Sequence, residues 1–266
     1  MSAALDIVWP VADASWKLTA GSIAVFAVDL DAVVTTKDVW SAAEHERAGR
    51  LHREVDRTRF LAARALLRGV LSRATGRDAR ELDIVPGRRK RPRLASNDDP
   101  DFDFNLAHSG PLAMCAVSRA GPVGVDVEQE VVPDDLDALA APVLTPGESE
   151  RFARCSPEDR AGFFFAAWTR KEALLKALGT GFALAPTLVD VTHDDVRLDE
   201  QLASAEKIAG ALRADLSRAS TEADVRSIES STPREWRIDT LQPARGFSAA
   251  LARARIEGSI ECWRWA

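Results

Sequence analysis

Three short matches recur in the same order in the two halves of the chain, and this repetition restricts the fold more than any other feature. Val28-Asp29-Leu30-Asp31 matches Val125-Asp126-Val127-Glu128 at a spacing of 97 residues, Glu44-x-Glu46-Arg47 matches Glu148-x-Glu150-Arg151 at 104, and Asp56-Arg57 matches Asp159-Arg160 at 103. Each match alone is short enough to arise by chance in a chain rich in Ala, Arg and Asp. Three in one order at nearly constant spacing predict two related α+β halves with a site between them. The expected division is 1–120 and 121–266, with 194–234, polar and mixed in charge, as a variable insertion in the second half.

Local patterning fills in this frame. Ile23 to Leu30 reads as a strand, and 42–72 as one or two helices with an apolar face at Phe60, Leu61, Ala65, Leu67 and Leu71, closed by Gly76. Met114 to Val117 is a hairpin strand, and Val123 to Val127 a short apolar strand ending on Glu128. Thr145-Pro146-Gly147-Glu148 announces a helix, with Thr145 as cap and Pro146 at the first helical position. Phe163 to Leu178 is the strongest helix, its apolar face built from Phe164, Ala167, Trp168, Leu175 and Leu178. Trp236 to Ile238 and Ser248 to Arg253 resume strand-like patterns.

A chain of 266 residues buries roughly three quarters of its unfolded surface, so a core forms without staples. Cys115, Cys155 and Cys262 are odd in number, far apart and in no C-x-x-C pair, which argues against a disulfide framework or a structural zinc. No secretory pattern and no run of about 18 apolar residues is present. These features make a reducing cytoplasm the expected location and exclude a membrane partner. With 35 Lys+Arg against 41 Asp+Glu, the formal charge of −6 gives no global pull toward nucleic acid.

The candidate chemistry lies in four places. Asp126 and Glu128, alternating along a strand, share one face roughly 7 Å apart at their Cα atoms, and two hard oxygen ligands so placed suit Mg2+ together with waters and phosphates. The same D-x-E pattern is also common at solvated strand ends. Trp168, Glu172 and Lys176 fall at i, i+4 and i+8, which sets the acid and the lysine beside an apolar face; an ordinary helix ion pair is the alternative. His108, one of only four histidines, sits with Ser109 in an apparent tight turn, Asn105 to Pro111, able to hold a phosphate or simply to satisfy its own backbone. Arg88, Arg89, Lys90, Arg91 and Arg93 put five cations into six residues, and Arg59 and Arg64 follow on the preceding helix. Such cations are either solvated or recognise a polyanion. No G-x-S-x-G elbow or P-loop occurs, so a serine hydrolase is not expected.

Taken in order, N-L-A-H-S-G (105–110), V-G-V-D-V-E (123–128) and W-T-R-K-E-A-L-L-K-A-L-G-T-G (168–181) resemble the Sfp-type 4'-phosphopantetheinyl transferases. The similarity runs from the helix carrying Arg59 to Gly181 and thins out across 194–234. It implies two similar α/β subdomains related by a pseudo-twofold, with the active site at their interface. It also implies the reaction: the 4'-phosphopantetheine arm of coenzyme A moves onto a serine of an apo acyl or peptidyl carrier protein, releasing 3',5'-ADP. Carried over by position, Asp126, Glu128 and Glu172 are the implied ligands of Mg2+, or of Mn2+, and Glu172 is also the base for the carrier serine. Lys176 and Lys171 would hold the pyrophosphate, and His108 with Arg59 or Arg64 the 3'-phosphate. The family's G-K-P element appears here as Lys90-Arg91-Pro92, which assigns Arg91 and Pro92 to the coenzyme A pocket while removing the glycine's close backbone approach. Carrier proteins of this class are acidic, so the basic loop could steer docking. Two halves in one chain imply a monomer.

Two other readings compete. A nucleic-acid-binding protein would use the Arg88 to Arg93 cluster, but the acidic balance, the absence of tyrosine and the lack of RNP-like or zinc-finger patterns weigh against it. A metal-dependent enzyme acting on another nucleotide is compatible with the carboxylates alone. The pathway served, among fatty acid, siderophore, polyketide and nonribosomal peptide biosynthesis, is not encoded in these motifs.

Overall fold

Every residue of the first strand, β1 (Ile23–Asp29), is buried, so both of its faces must be covered. The computed structural model, which describes residues 5–33, 39–87, 91–181, 184–198, 235–254 and 259–265, shows how. After β1 come α1 (Ala42–Gly49), α2 (Glu54–Thr75), β2 (Ile84–Pro86), β3 (Pro92–Leu94), β4 (Phe102–Ser109), β5 (Leu112–Arg119) and β6 (Val123–Gln129). Then follow α3 (Leu136–Ala140), α4 (Pro146–Arg154), α5 (Arg160–Leu178), β7 (Asp195–Arg197), β8 (Glu235–Leu241), β9 (Phe247–Ala254) and β10 (Ile260–Arg264). The chain is α+β, as the sequence predicts. Residues 199–234, most of the expected insertion, and Arg88, Arg89 and Lys90 of the basic loop lie outside the described residues.

Strand alternation sorts the side chains into layers. From β1, Ala24, Phe26 and Val28 pack with Ala62, Leu66, Leu67, Val70 and Leu71 of α2. Ile23, Val25 and Ala27 point the other way, against Val123, Val125 and Val127 of β6 and Leu251 of β9. The residues of β9 between these, Ala250 and Ala252, meet Ala173, Leu174 and Leu175 of α5. The order of layers is therefore α2, first sheet, second sheet, α5. The first sheet runs β10-β1-β5-β4 and the second β6-β9-β8-β7, with β2 and β3 as a separate ribbon.

The last strand departs from a clean division at residue 120. β10 pairs in parallel with β1, from Ile23 opposite Ile260 to Ala27 opposite Arg264, and so completes the first sheet. Trp265 then meets Phe26 edge-on at 5.7 Å and takes Arg73 over its ring at 4.2 Å. Burial of this aromatic against the α2 side of the core gives the chain end a physical reason to return.

The 42–72 segment forms two helices, and the buried face of α2 is rotated from the predicted one. Ala62, Ala63, Leu66, Leu67, Val70 and Leu71 are buried, whereas Phe60, Leu61 and Ala65 are only half-buried at its flank. Gly76 ends α2 in the left-handed conformation at φ 73°. Both α1 and α4 begin with capping boxes, Ser41 with Glu44 and Thr145 with Glu148. In each half the capping glutamate is buried and also receives a buried cation from the following long helix. Arg68 Nε donates to Glu44 Oε2 at 2.8 Å and its Nη1 donates to the carbonyls of Ala79 and Leu82. Lys171 Nζ lies 2.7 Å from Glu148 Oε2 and donates to the carbonyls of Pro186 and Val189. The two devices sit about 103 residues apart, the spacing of the sequence matches.

Candidate functional site

The site forms where the open edge of β6 lies beside β4. Three side chains of β4 fill that edge: Asp103 accepts the N–H of Val123 at 2.9 Å, Asn105 that of Val125 at 3.0 Å, and Ser109 that of Gln129 at 3.1 Å. Alternate residues of β4 thus do the work of a neighbouring strand, and the seam between the sheets is held by side chains. Arg91 joins in, its Nη2 donating to Asp103, to the carbonyl of Phe104 and to that of Val123.

With Val123, Val125 and Val127 turned into the inter-sheet core, Gly124, Asp126 and Glu128 face α5. A Cβ on Gly124 would stand 2.1 Å from the carbonyl oxygen of Ala173 and 2.5 Å from the nitrogen of Ala177, so the close approach of strand and helix requires glycine. Opposite this face α5 presents Trp168, Glu172 and Lys176. Lys176 Nζ donates to Asp126 Oδ1 at 2.5 Å and more weakly to the carbonyl of Val125 at 3.4 Å. Glu128 is held from both sides: the Ser109 hydroxyl donates to Oε2 at 2.7 Å and Trp168 Nε1 to Oε1 at 3.3 Å.

Crowding of acids in a half-buried place governs the electrostatics. Burial pushes Asp126 up to about 7, against the pull of Lys176 and with added repulsion from Glu128 and Glu172. Burial likewise raises Glu172, opposed by Lys176 and reinforced by Glu128. His108 is held below its ordinary value, first by desolvation and then by the Lys176 cation, with Arg59 acting in the same direction and Glu128 against it. His108, Arg59, Lys176 and Glu128 therefore share one electrostatic neighbourhood. Arg59 is fixed there by a two-pronged contact to Asp31, its Nε at 2.8 Å and its Nη2 at 2.6 Å.

Several predicted site residues are placed elsewhere or used otherwise. Lys171 is 1% exposed and all its hydrogen bonds go to Glu148, Pro186 and Val189, so it braces α5 instead of facing a pyrophosphate. Arg64 donates to Glu44 at 2.6 Å beside Arg68 and belongs to the brace of the first half. Arg91 is bound to the sheet seam, and Pro92 opens the β2–β3 ribbon opposite Pro86. His108 does not sit in a turn: it lies on β4 opposite Ala113, and the turn follows at Gly110. The buried surface of α5 is also wider than one face, taking in Phe165, Ala173, Leu174 and Ala177. Asp31, Gly124 and Asn105 are contributors that the motif reading did not assign to the site, although all three stand within stretches it quoted.

The acid set fits a small divalent cation. Asp126 Oδ2 is buried with no hydrogen-bond partner among the described residues, an arrangement that calls for positive charge or a ligand. Among the described residues no group of three or more His, Cys, Asp or Glu side chains is arranged to hold a metal ion as it stands. Mg2+ suits such an incomplete set, since it keeps waters and takes one or two carboxylates with substrate phosphates.

The acids of this junction thus stand beside the cations Lys176 and Arg59 and beside His108. Comparison with known proteins gives the chain a family. Residues 122–218 match a family model described as the 4'-phosphopantetheinyl transferase superfamily, and residues 31–120 one described as 4'-phosphopantetheinyl transferase, N-terminal. The chain is 35% identical over 144 residues to the 4'-phosphopantetheinyl transferase HetI of Nostoc sp., covering 54% of this chain and 61% of that protein. It is 33% identical over 138 residues to the transferase AcpT of Salmonella typhimurium, covering 52% of this chain and 67% of that protein. To Sfp of Bacillus subtilis it is 27% identical over 144 residues, covering 54% and 62%. The chain belongs to the 4'-phosphopantetheinyl transferase superfamily. The first three relatives are matched over 61%, 58% and 62% of their length.

Proposed function

We propose that this chain acts in the Sfp-type manner, moving the 4'-phosphopantetheine arm of coenzyme A onto a serine of an apo acyl or peptidyl carrier protein and releasing 3',5'-ADP. The observation that carries this reading is the convergence of Asp126, Glu128, Glu172 and Lys176 between β6 and α5, next to His108 and Arg59, in a chain of this family.

Asp126 and Glu128, with Glu172, would hold Mg2+ or Mn2+. Bound there, the metal would neutralise charge on the pyrophosphate oxygens and steady the leaving group. Ser109 and Trp168 orient Glu128 by donating to its two oxygens. Glu172, made more basic by burial, accepts the proton of the carrier serine. As the serine oxygen bonds to phosphorus, the bond between that phosphorus and the oxygen of the departing 3',5'-ADP breaks. Lys176 reaches the pyrophosphate, while His108 and Arg59 hold the 3'-phosphate by charge and hydrogen bonds. Lys171, Arg64 and Arg91, already bound within the fold, have no part in these contacts.

The site draws all of these groups from one chain, which supports action as a monomer, with 1–120 and the returning strand β10 as one half and the second sheet with α3, α4 and α5 as the other. Among the described residues no helix is long and apolar enough to cross a membrane. A cytoplasmic location and an acidic carrier partner complete the proposal. The decisive experiment incubates the protein with coenzyme A, Mg2+ and a panel of apo carriers, and weighs the products. A carrier heavier by one phosphopantetheine arm establishes the reaction and its partner; a panel left wholly unmodified sinks the reading.

A further inference from the structure

We propose that Lys176 is an internal counter-cation occupying Asp126, which a divalent metal must displace, so that metal and coenzyme A enter the site cooperatively. This deepens the function proposed above and rests on it.

The geometry of one carboxylate carries the inference. Lys176 Nζ donates to Asp126 Oδ1 at 2.5 Å, while Oδ2 of the same carboxylate is buried and unpartnered. A monocation thus covers one oxygen of a group that shares its surroundings with Glu128 and Glu172. Metal at Asp126 would lie about 2 Å from a carboxylate oxygen, and an ammonium in contact with that carboxylate would repel it. The two cations therefore compete for Asp126.

Lys176 is able to leave, and Lys171, five residues earlier, is not. The Lys176 side chain is 29% exposed, and among the described residues its only other acceptor is the carbonyl of Val125 at 3.4 Å. Lys171 is sealed in by Glu148 and two carbonyls. Glu128 needs no release, because its donors are the neutral groups of Ser109 and Trp168. A displaced Lys176 requires a new anion, and the pyrophosphate of coenzyme A supplies it. By linkage, each ligand then strengthens the other. In the free protein the lysine keeps the acid cluster partly neutralised; in the complex it serves the substrate.

The test measures Mn2+ binding to the full chain by the electron paramagnetic resonance signal of free Mn2+, with and without coenzyme A. In Lys176→Met, Mn2+ binding without coenzyme A should tighten by about tenfold or more, and the tightening caused by coenzyme A should shrink by a similar factor. Lys176→Gln should do the same, and circular dichroism confirms that both variants are folded. Adding Asp126→Asn to Lys176→Met should remove the gain. Arg57→Met takes away a cation that pairs with Glu54 and not with Asp126, and should change Mn2+ binding by less than about threefold. Equal Mn2+ affinities for wild type and both Lys176 variants, while wild type still transfers the arm, overturn the counter-cation and leave the function standing. A gain in Arg57→Met as large as in Lys176→Met also overturns it, since general charge would then suffice. If wild type neither binds Mn2+ with coenzyme A nor modifies any carrier, the functional reading fails and this inference with it.

Discussion

Glu172 and Lys171 are neighbours in sequence and opposite in use, which shows what a residue-level reading captures. Helical period sets Trp168, Glu172 and Lys176 on one line and strand alternation sets Asp126 with Glu128, so the central acids and Lys176 were legible from spacing. What spacing leaves open is which cation finds a buried acid. Lys171, Arg64 and Arg91 are as basic as Lys176, but their partners Glu148, Glu44 and Asp103 come from other elements and appear only when the chain is folded. Two predictions belong here. Glu172→Gln should lower kcat by about a hundredfold or more, the usual loss for a general base, with an unchanged melting temperature; retained turnover would remove the base assignment. His108→Ala should raise KM for coenzyme A by about tenfold with a smaller change in kcat, as expected for one lost charge-assisted hydrogen bond. An unchanged KM would place the 3'-phosphate elsewhere.

At the scale of elements, caps and breakers were readable while edges were not. Thr145, Pro146 and Gly76 act as the sequence predicts. The strand carrying His108 was mistaken for a turn because Asn105 and Ser109 look like turn residues, whereas their side chains here serve the backbone of β6. Gly124 was visible only as part of a motif, although it sets the distance between β6 and α5. Replacing it with Ala puts a methyl group into helix backbone at 2.1 Å, which cannot yield as a flexible side chain would. Gly124→Ala should therefore destabilise the fold by about 1–3 kcal/mol. It should also slow transfer by moving α5, with Glu172 and Lys176, away from the acids of β6; calorimetry and the carrier assay would check both effects, and a fully active, equally stable variant would refute the close approach.

For the whole molecule, the repeat pointed to two matched units, but β10 was beyond its reach, since a strand that crosses back obeys no local period. The paired braces give the repeat an energetic form. Lys171→Met leaves Glu148 buried without its cation and should cost about 3–5 kcal/mol, and Arg68→Met should cost a similar amount at Glu44. Chemical denaturation would measure both, and a loss below about 1 kcal/mol in either would mean that its glutamate is served by the capping box alone. Acid should act through the same device. Burial opposes the charge on Glu44, but the Ser41 N–H, Arg64 and Arg68 outweigh it and hold its pKa below the ordinary 4.5. Its contribution is thus present above that value and lost as pH falls through the lower, folded one. Glu44→Gln should flatten this acid limb of the stability curve, and an unchanged limb would exclude the mechanism.

The two acid-bearing strands have diverged in what answers their charge. In the first, Asp29 accepts the N–H groups of Leu5 and Asp31, and Asp31 is closed by Arg59. In the second, Asp126 still has an oxygen with no partner. One copy of the pattern completes itself, and the other leaves an oxygen open for the metal proposed above. A protein that contains both versions lets one secure the architecture while the other stays chemically unfinished, and reactivity arises from that inequality between its twins.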